Sequence, residues 1–366
     1  MQIVGAVLET SGADAPFAQS RPFRVGPLEL DGPEAGELLV RIEAAGVCHS
    51  DLSVVDGNRR RPTPMLLGHE AAGIVERLGS GVTDVAVGDR VVMTFLPRCG
   101  ECAGCRTDGR LPCEVGTAAN NAGTLVGGGI RLHRGSDPVH HHLGVSGFAS
   151  HAVVSRTSVV PVPADVPGEI AALLGCAVLT GGGAVMNAAR PEPGTTIAIV
   201  GLGGVGMAAL LVAVALGVRV IGIDAVPAKL DLARELGAAE ALSPADAVER
   251  GVRVPAAVEA AGNARAFETA LAVTAPGGTT VTVGLPAPDA RAAVSPLQLT
   301  AEARTIIGSY LGSAVPSRDI PQYVDLWRAG RLPLEKLVSS RIRLDDIDAA
   351  MDRLAAGGEL RQLITF

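Results

Sequence analysis

The chain has 366 residues and a formal net charge of -7, and 48% of its residues are hydrophobic. This length and composition predict a globular α/β protein of two domains, and the acidic balance argues against a nucleic-acid-binding protein. No run of about 20 uncharged apolar residues is present, so we expect no membrane-spanning helix. The opening residues, MQIVGAVLET, are typical of a strand and not of a secretory leader, which favours a reducing, cytoplasmic compartment where clustered cysteines bind metal.

The first half of the chain is predicted to be rich in β-strands that Gly, Pro and Asp turns separate. The candidate strands are Met1–Glu9, Glu37–Ala44, Ala71–Leu78, Arg90–Phe95 and Ala152–Pro161. Between Cys113 and Ala152 the sequence is rich in Gly and His and shows little periodicity, which indicates a long loop.

From Thr195 onward strands and helices alternate, which predicts a parallel sheet with right-handed crossovers. The expected strands are Thr195–Val200, Val218–Ile223, Ala256–Ala260 and Thr279–Val283, and the expected helices are Gly204–Leu216, Ala228–Leu236 and Ala264–Thr274. The tail then predicts helices near Asp319–Arg328 and Asp345–Ala355 and a final strand, Gln362–Phe366. This order predicts a dinucleotide-type domain inserted between an N-terminal β domain and a C-terminal return to it.

A glycine-rich turn follows the first strand of the alternating region and opens a helix. It reads Gly201-Leu202-Gly203-Gly204-Val205-Gly206. In this context the glycines let the backbone approach a pyrophosphate at the helix N-terminus, although a glycine turn of an unrelated α/β fold is the alternative. Asp224 ends the next strand about 20 residues on, where a carboxylate binds the ribose hydroxyls and would repel a 2′-phosphate, so NAD is favoured over NADP. Lys229 could reach the same ribose.

Three separated residues, Cys48, His69 and Cys176, form a ligand set for a catalytic zinc ion. Two thiolates and an imidazole leave a fourth position open for an alcohol, which zinc would activate as a Lewis acid. Each residue alone could equally be an ordinary buried side chain. Together with the dinucleotide turn, they favour an open zinc site in an enzyme.

Neighbouring polar residues suit supporting roles at that site. The hydroxyl of Ser50, two residues after Cys48, could take the proton of the alcohol. Asp51 could orient the imidazole of His69, which is the usual support for a zinc-bound histidine. Either residue could instead satisfy backbone amides in a turn. Glu70 could be an alternative zinc ligand or could support the site from behind the ligands.

Four further cysteines are clustered in one short segment, and their spacing predicts a structural zinc ion. They are Cys99, Cys102, Cys105 and Cys113. Four thiolates close a tetrahedral coordination sphere, and an iron–sulfur cluster is the alternative. Because the segment has few apolar residues, we expect the metal to hold it together.

These motifs together resemble those of the zinc-dependent medium-chain alcohol dehydrogenases, over nearly the whole chain. The resemblance includes the runs GVCHSD at 46–51, GHE at 68–70, Gly175-Cys176 and RQLITF at 361–366. The distance from Cys113 to Cys176 and the run VHHHLG at 139–144 are similar to the longer, class III-like branch. The resemblance implies a GroES-like β-barrel-type catalytic domain (1–177 and 314–366, with a zinc lobe at about 97–115), a Rossmann doubly wound parallel-sheet domain (178–313), and an active site in the cleft between them.

The resemblance also implies cofactor and substrate contacts. They are the pyrophosphate contacts His49 and Arg361, the nicotinamide contacts Thr180 and Val205, and the substrate-pocket residue Phe95. The implied cofactors are NAD(H) and two zinc ions per chain. The implied assembly is a homodimer in which edge strands join two Rossmann sheets, and the segment Thr300–Gly312 could supply such an edge.

Several positions depart from the family pattern. Ser53 stands where a histidine commonly continues the proton relay, so the exit route of the proton differs. Arg59 and Thr117 stand where enzymes that oxidise the glutathione adduct of formaldehyde carry an acidic and a basic residue, which counts against that substrate. Arg59 belongs to an arginine run, 59–61, that could attract an anionic substrate but more simply forms a solvated loop. His142 replaces a commonly aromatic residue and would make the pocket more polar.

The leading hypothesis is therefore reversible hydride transfer between NAD and a primary or secondary alcohol, aromatic alcohols included, with zinc stabilising the charge on the alcohol oxygen. The expected partner is a small alcohol or aldehyde, with no nucleic acid and no membrane. The alternatives are a thiol-adduct or polyol dehydrogenase of the same family. Weaker alternatives are a non-catalytic scaffold that zinc stabilises and a zinc module that binds nucleic acid.

Overall fold

The computed structural model describes every residue from Met1 to Phe366. The chain divides into two compact units. Unit 1 comprises Met1–Cys176, Val315–Val324 and Val338–Phe366, and unit 2 comprises Ala177–Ala314 and Asp325–Leu337. The segment Asp325–Leu337, which the sequence analysis includes in the catalytic domain, thus groups with the nucleotide-type unit.

The elements are numbered here in chain order. The strands are β1 (Gln2–Leu8), β2 (Phe23–Leu30), β3 (Glu37–Val47), β4 (Met65–Leu66), β5 (Ala71–Leu78), β6 (Arg90–Met93), β7 (Leu132–Arg134), β8 (Asp137–His141), β9 (His151–Ser155), β10 (Val159–Val162), β11 (Thr196–Val200), β12 (Arg219–Ile223), β13 (Glu240–Leu242), β14 (Val254–Glu259), β15 (Thr274–Thr282), β16 (Thr305–Gly308), β17 (Val338–Ile342) and β18 (Arg361–Thr365). The α-helices are α1 (Phe17–Ser20), α2 (His49–Val55), α3 (Glu114–Ala122), α4 (Gly168–Leu174), α5 (Ala177–Gly183), α6 (Gly204–Ala215), α7 (Pro227–Glu235), α8 (Pro244–Glu249), α9 (Ala264–Val273), α10 (Pro296–Ala301), α11 (Pro316–Arg328) and α12 (Ile347–Ala355).

Unit 1 is built from a closed barrel and a larger sheet. The barrel has the order β1-β2-β7-β8-β4, and the sheet has the order β10-β6-β5-β3-β18-β17, with β9 also paired to β3. Strand β3 is buried along most of its length because β5, β9 and β18 all pair with it. Strand β3 ends at Val47, so Cys48, the next residue, also lies buried in the interior of the unit.

Unit 2 contains a six-stranded parallel sheet in the order β13-β12-β11-β14-β15-β16. Numbered along the chain within the unit, this order is 3-2-1-4-5-6, that of a doubly wound dinucleotide-binding sheet. Helix α6 is apolar on all sides and almost fully buried, as expected for a helix in the core of such a fold. The order reverses between β11 and β14, and ligands of these sheets bind at the carboxyl ends of the strands at that point.

The prediction of one long loop between Cys113 and Ala152 was wrong, because α3, β7 and β8 form there. Helix α3 begins after a cysteine N-cap instead of the usual Ser, Thr, Asp or Asn, and β7 has only three residues, too few to show a period of two. Strand β2 was missed because Gly26 and Pro27 interrupt it. The segment Ala152–Pro161 holds two strands, β9 and β10, which a 3-10 turn separates.

Taken one at a time, the helices are all too short or too polar to span a lipid bilayer. One bent pair, Gly168–Leu174 with Ala177–Ala189, reaches that length and composition only when the two are taken together.

Candidate active site

Cys48, His69 and Cys176 meet in the interior of unit 1. Their sulfur and nitrogen atoms all lie within 4.8 Å of one another, and all three side chains are buried. Cys48 follows β3, His69 lies between β4 and β5, and Cys176 lies between α4 and α5. The fold therefore brings together the three residues that the sequence analysis proposes as ligands of one metal ion.

The backbone at Cys48 is fixed by a capping box at the start of α2. Cys48 is the N-cap residue, its side chain accepts a hydrogen bond from the backbone of Asp51, and its own N–H donates to Asp51 Oδ2 at 3.1 Å. This is the reciprocal pattern of a Ser/Thr…Glu box, with cysteine and aspartate in those places. The box orients the Cys48 thiol and at the same time draws the Asp51 carboxylate into the site.

His69 is held in place by the residue before it. Gly68 has φ +90°, and a Cβ atom there would lie 2.6 Å from the backbone nitrogen of Phe148, so only glycine fits. The N–H of Gly68 donates to Asp51 Oδ1 at 3.2 Å, and Nδ1 of His69 lies 3.0 Å from the same oxygen. A carboxylate only accepts hydrogen bonds, so Nδ1 carries the proton and Nε2 is free to bind a metal.

The charges of Asp51 and His69 support each other. Burial disfavours the ionised carboxylate, but the nearby imidazoles of His69 and His142 outweigh burial and lower the pKa of Asp51 to about 2. Burial likewise disfavours a charged His69, and the Asp51 carboxylate nevertheless raises the pKa of that imidazole well above its usual value. The carboxylate is thus ionised under all ordinary conditions. Its negative charge makes Nε2 of His69 a stronger ligand for a metal cation.

The Cys48 thiol is prepared for metal binding. A hydrogen bond from Cys176 holds the pKa of Cys48 well below its usual value against the effect of burial, and the positive charge of Arg361 lowers it further. The guanidinium of Arg361 is itself buried and donates to the Val47 carbonyl at 3.2 Å. Thiolate, the form that binds metal, is therefore favoured at Cys48, whereas the same hydrogen bond and burial raise the pKa of Cys176.

Glu70 lies near the group without joining it. Its Oε1 atom is 3.4 Å from Nε of Arg361, the residue is fully buried, and neither carboxylate oxygen has a well-formed hydrogen bond. Burial raises the pKa of Glu70 to about 7, although Arg361 opposes the rise. The carboxylate is not among the grouped ligand atoms, so an alternative ligand role would require it to move.

The donor set fits zinc. Zinc–sulfur bonds of about 2.3 Å and zinc–nitrogen bonds of about 2.0 Å give a sulfur–nitrogen edge of about 3.5 Å in a tetrahedron. Sγ of Cys176 lies 3.4 Å from Nε2 of His69. Three buried donors of this kind match the protein ligands of an open, catalytic zinc site.

The four-cysteine segment fits a second zinc ion. Sγ of Cys99 lies 3.9 Å from that of Cys105, and Sγ of Cys102 lies 3.9 Å from that of Cys113, close to the sulfur–sulfur edge of about 3.8 Å in a zinc tetrahedron. All four are free thiols. Backbone N–H groups donate to the sulfurs of Cys99, Cys102 and Cys113, and such hydrogen bonds stabilise thiolates. The hydrogen bond from the Glu114 backbone is the main cause that lowers the pKa of Cys102 to about 6.

Helix α3 connects this lobe to the surroundings of His69. Sγ of Cys113 caps the helix by accepting from the Gly116 N–H at 3.4 Å. Near the other end, the Asn120 side chain donates to the Phe95 carbonyl at 2.7 Å. The Phe95 ring in turn packs edge-on against the His69 imidazole, with 5.5 Å between the ring centroids.

The remaining predicted residues of unit 1 fall into two groups. Phe95 and His142 are buried and flank the His69 ring, each with its ring nearly perpendicular to the imidazole. Ser50 is half-buried and His49 is exposed, both in the first turn of α2 directly after Cys48. His142 also contacts Asp51, which the sequence does not indicate.

In unit 2 the glycine-rich turn follows β11 at the point where the strand order reverses. Gly201 has φ +91°, and a Cβ atom there would lie 2.5 Å from the backbone nitrogen of Ala261, in the loop after β14. A Cβ atom on Gly206 would lie 1.8 Å from the Gly201 carbonyl oxygen, so this residue lets α6 begin directly against the turn. Gly203 is the N-cap of α6, and Gly204 and Val205 form its half-buried first turn.

Asp224 is placed at the carboxyl end of β12. Its carboxylate accepts hydrogen bonds from the N–H groups of Leu202, at 2.7 Å, and Val226, at 2.9 Å. The residue is half-buried, as is Lys229 in the first turn of α7. Asp224 therefore links the second strand to the glycine-rich turn, while Thr180 is buried in α5 of the same unit.

Sequence reasoning missed a second carboxylate at the same edge of the sheet. Glu259 ends β14 and is buried; its Oε1 accepts from Ala261 N–H at 2.8 Å and from Gly262 N–H at 2.6 Å, and Oε2 accepts from the Thr282 hydroxyl. It thus fixes the loop that lies against Gly201. The available signal was an acidic residue directly after the apolar run at 256–258.

Comparisons with known proteins agree with this architecture. The family described as alcohol dehydrogenase GroES-like domain matches residues 34–164, and the family described as zinc-binding dehydrogenase matches residues 204–329. A protein of Mycobacterium tuberculosis (strain CDC 1551 / Oshkosh), provisionally named alcohol dehydrogenase D, is 36% identical over 359 residues, which cover 95% of this chain and 97% of the relative.

Two solved structures are similar over the whole chain. The alcohol dehydrogenase zinc-binding domain protein from Burkholderia ambifaria is 33% identical with a TM-score of 0.92, and the alignment covers 100% of this chain and 99% of that one. Benzyl alcohol dehydrogenase from Acinetobacter calcoaceticus is 32% identical with a TM-score of 0.91 and the same coverage. The chain therefore belongs to the zinc-dependent medium-chain alcohol dehydrogenase family.

Proposed function

We propose that this protein is an NAD-dependent alcohol dehydrogenase that interconverts a primary or secondary alcohol, aromatic alcohols included, with the aldehyde or ketone. The observation that carries the proposal is the buried group of Cys48, His69 and Cys176, two thiols and an imidazole within 4.8 Å. When bound, zinc would supply a Lewis acid for the alcohol oxygen, and NAD would supply the hydride acceptor.

The residues of unit 1 would orient and protect the reacting group. Asp51 fixes the His69 imidazole in the tautomer that offers Nε2, and Phe95 and His142 cover two sides of that ring. Their burial excludes water, so electrostatic interactions within the site are stronger than they would be in solvent. This environment favours loss of the alcohol proton at ordinary pH.

Ser50 is our candidate for the group that takes this proton. It is two residues after Cys48 and half-buried, so its hydroxyl can exchange a proton with solvent. Ser53, the next serine along the helix, already donates its hydroxyl hydrogen bond to the His49 carbonyl, at 2.8 Å. We therefore propose that the proton passes from Ser50 to solvent without the help of Ser53.

The cofactor assignment rests on unit 2. The glycine-rich turn offers backbone N–H groups to a pyrophosphate, and the Asp224 carboxylate beside it would accept hydrogen bonds from the ribose hydroxyls and repel a 2′-phosphate. The similarity to a benzyl alcohol dehydrogenase supports aromatic alcohols as a first substrate class. All six cysteines are free, which favours a reducing, cytoplasmic compartment.

We also propose a homodimer joined through β16. This strand is the last in the sheet of unit 2, so one of its edges has no partner strand, and the nearby side chain of Leu297 is 77% exposed. Unpaired edges of this kind readily pair with another chain. Light scattering on the purified protein would measure the mass of the assembly.

The decisive experiment measures nicotinamide reduction with NAD and NADP separately, over simple, aromatic and polyhydroxy alcohols, with and without a low-molecular-weight thiol. We expect turnover of simple or aromatic alcohols with NAD, independent of thiol and lost after chelation of zinc. The Cys48→Ala variant should be inactive while the fold, checked by circular dichroism, is retained. Turnover only of formaldehyde with thiol, or none from a protein with two zinc ions, would overturn the proposal.

A further inference from the structure

His142 lies against the carboxylate that orients His69. Its Nδ1 atom is 3.2 Å from Oδ1 of Asp51, a close polar contact that falls short of a well-formed hydrogen bond, and Nδ1 has no hydrogen-bond partner elsewhere. The ring centroids of His142 and His69 are 5.5 Å apart with an interplanar angle of 86°. The side chain is 1% exposed, so this is an interior contact and not a surface one.

The Asp51 carboxylate is otherwise held only by residues close to the zinc-ligand set. Oδ2 accepts from the Cys48 N–H, and Oδ1 accepts from the Gly68 N–H and from His69. His142 reaches Oδ1 from a segment that follows β8, on the barrel side of the unit. It therefore supplies the one support of the carboxylate that comes from neither the α2 capping box nor the Gly68–His69 segment between β4 and β5.

The backbone of His142 is fixed by a turn that is costly to form. Its N–H donates to Ser146 Oγ at 3.0 Å, and its carbonyl accepts from the N–H groups of Val145 and Ser146. Leu143 and Ser146 both have φ +53°, a left-handed conformation that residues other than glycine rarely adopt. Such residues persist where the surroundings force them, and they are concentrated at functional sites.

We propose that His142 is a positioning residue of the metal centre, where it holds the Asp51 carboxylate in the orientation that fixes His69. The carboxylate only accepts hydrogen bonds, so Nδ1 of His142 is the donor. A residue of this kind tunes metal affinity through the ligand that it orients, without touching the metal itself. The inference rests on the zinc site of the proposed function and assigns His142 a role distinct from shaping a pocket.

The atom involved permits a test with matched variants. In an asparagine side chain the amide nitrogen can replace Nδ1 of histidine, whereas in glutamine the amide lies near the position of Nε2. His142→Asn should therefore keep the contact with Asp51, while His142→Gln and His142→Phe should lose it. His140→Phe is the control, because His140 is also on the segment of β8 but its ring lies beside Gly123.

The readout is the rate at which each zinc ion passes to a chromophoric chelator, measured on the full-length, zinc-loaded protein. We expect His142→Phe and His142→Gln to release one of the two zinc ions about tenfold faster or more, with His142→Asn within about threefold of the unmodified protein. Cobalt in the Cys48 site should show a shifted absorption band in the phenylalanine variant. The four-cysteine metal and the denaturation midpoint serve as controls for folding.

Equal release rates in the phenylalanine variant and the unmodified protein would overturn the proposal, as would equal acceleration at both metals, which indicates general loosening. Equal losses in the asparagine and phenylalanine variants would also overturn it. If the unmodified protein binds no metal at Cys48, the proposed function fails before this question arises. If it binds two zinc ions and His142→Phe changes neither, only the positioning role fails.

Discussion

Oδ1 of Asp51 lies 3.0 Å from Nδ1 of His69, and both side chains are closed off from solvent. The same carboxylate accepts the Cys48 N–H through Oδ2. The Asp51 side chain thus orients two of the three proposed zinc ligands, Cys48 and His69. The hydrogen bond to Cys48 is also part of the capping box of α2. The arrangement makes metal binding and local helix formation depend on the same carboxylate.

Replacing Asp51 with asparagine should weaken this metal site selectively. The amide keeps one acceptor oxygen but presents N–H to either Cys48 or His69, so one of these two residues loses the hydrogen bond that orients it. Loss of such a partner lowers metal affinity by about 10- to 100-fold. Competition with a zinc chelator measures this affinity, with Asp56→Asn, at the C-terminus of the same helix, as the control. Wild-type affinity in Asp51→Asn would show that the contact is dispensable.

Replacing Asp224 with asparagine should reduce the preference for NAD. Charge-assisted hydrogen bonds contribute about 1.5–3 kcal/mol each, so we expect kcat/KM for NAD to fall by about 10- to 100-fold, while that for NADP is unchanged or rises. Initial rates with each cofactor provide the comparison. Asp231→Asn, on the exposed side of α7, controls for loss of negative charge. An unchanged ratio between the two cofactors would refute the assignment of Asp224.

Acid should destabilise unit 1 through His141. Burial, with help from nearby positive charges, lowers the pKa of this imidazole to about 3, and its Nε2 accepts from the Arg131 N–H at 3.0 Å. The unfolded chain binds the proton near pH 6.5, so the stabilising contribution is complete above that pH and declines as pH falls towards about 3. The loss is about 1.4 kcal/mol per pH unit, or about 2 kcal/mol at pH 5.

The measurement is the free energy of unfolding in denaturant at pH 7.5 and pH 5.0, for the unmodified protein and for His141→Gln. Glutamine can accept the Arg131 hydrogen bond but does not titrate, so the variant should lose about 2 kcal/mol less between the two pH values. Parallel losses in the two proteins would show that His141 is not a source of the acid sensitivity.

Replacing Cys113 with serine should remove the lobe zinc. This residue is one of the four clustered thiols and also caps α3, so its loss affects both the metal and the helix that holds Phe95. We expect the zinc content to fall from two ions per chain to one, and rapid proteolysis between residues 98 and 112. Val115→Ala, exposed on the same helix, should change neither. Two retained zinc ions in Cys113→Ser would contradict the four-cysteine assignment.

Much of this architecture could be predicted because its signals are local in sequence. The bounds expected for β5 agree with the observed ones, and the glycine-rich turn is recognisable from the strand before it and the helix after it. Likewise, the spacing of the four cysteines requires no knowledge of distant contacts, because seven or fewer residues separate neighbours.

The parts that could not be predicted depend on contacts between distant segments. His142 and Asp51 are 91 positions apart, and no periodic pattern indicates that the turn after β8 brings them together. Strands β7 and β8 are short, and their pairing with the barrel, not their composition, determines their conformation. Glu259 was overlooked because its partners are two backbone N–H groups, which carry no sequence signature, and the hydroxyl of Thr282, which is 23 positions away.

The position of β18 has a consequence for the order in which the protein forms during synthesis. This strand lies inside the large sheet, antiparallel to β3 and parallel to β17, and its residue Gln362 pairs with Val47 beside Cys48. The part of β3 next to the first proposed zinc ligand, Ala44–Val47, therefore lacks its partner strand until residues 361–365 have left the ribosome. The sheet of unit 2, by contrast, lies within one continuous stretch and can be completed earlier. We therefore expect Cys48 to hold zinc tightly only after residues 361–365 have been made, and a nascent chain that stalls before residue 361 to display an open β edge, which is prone to aggregation.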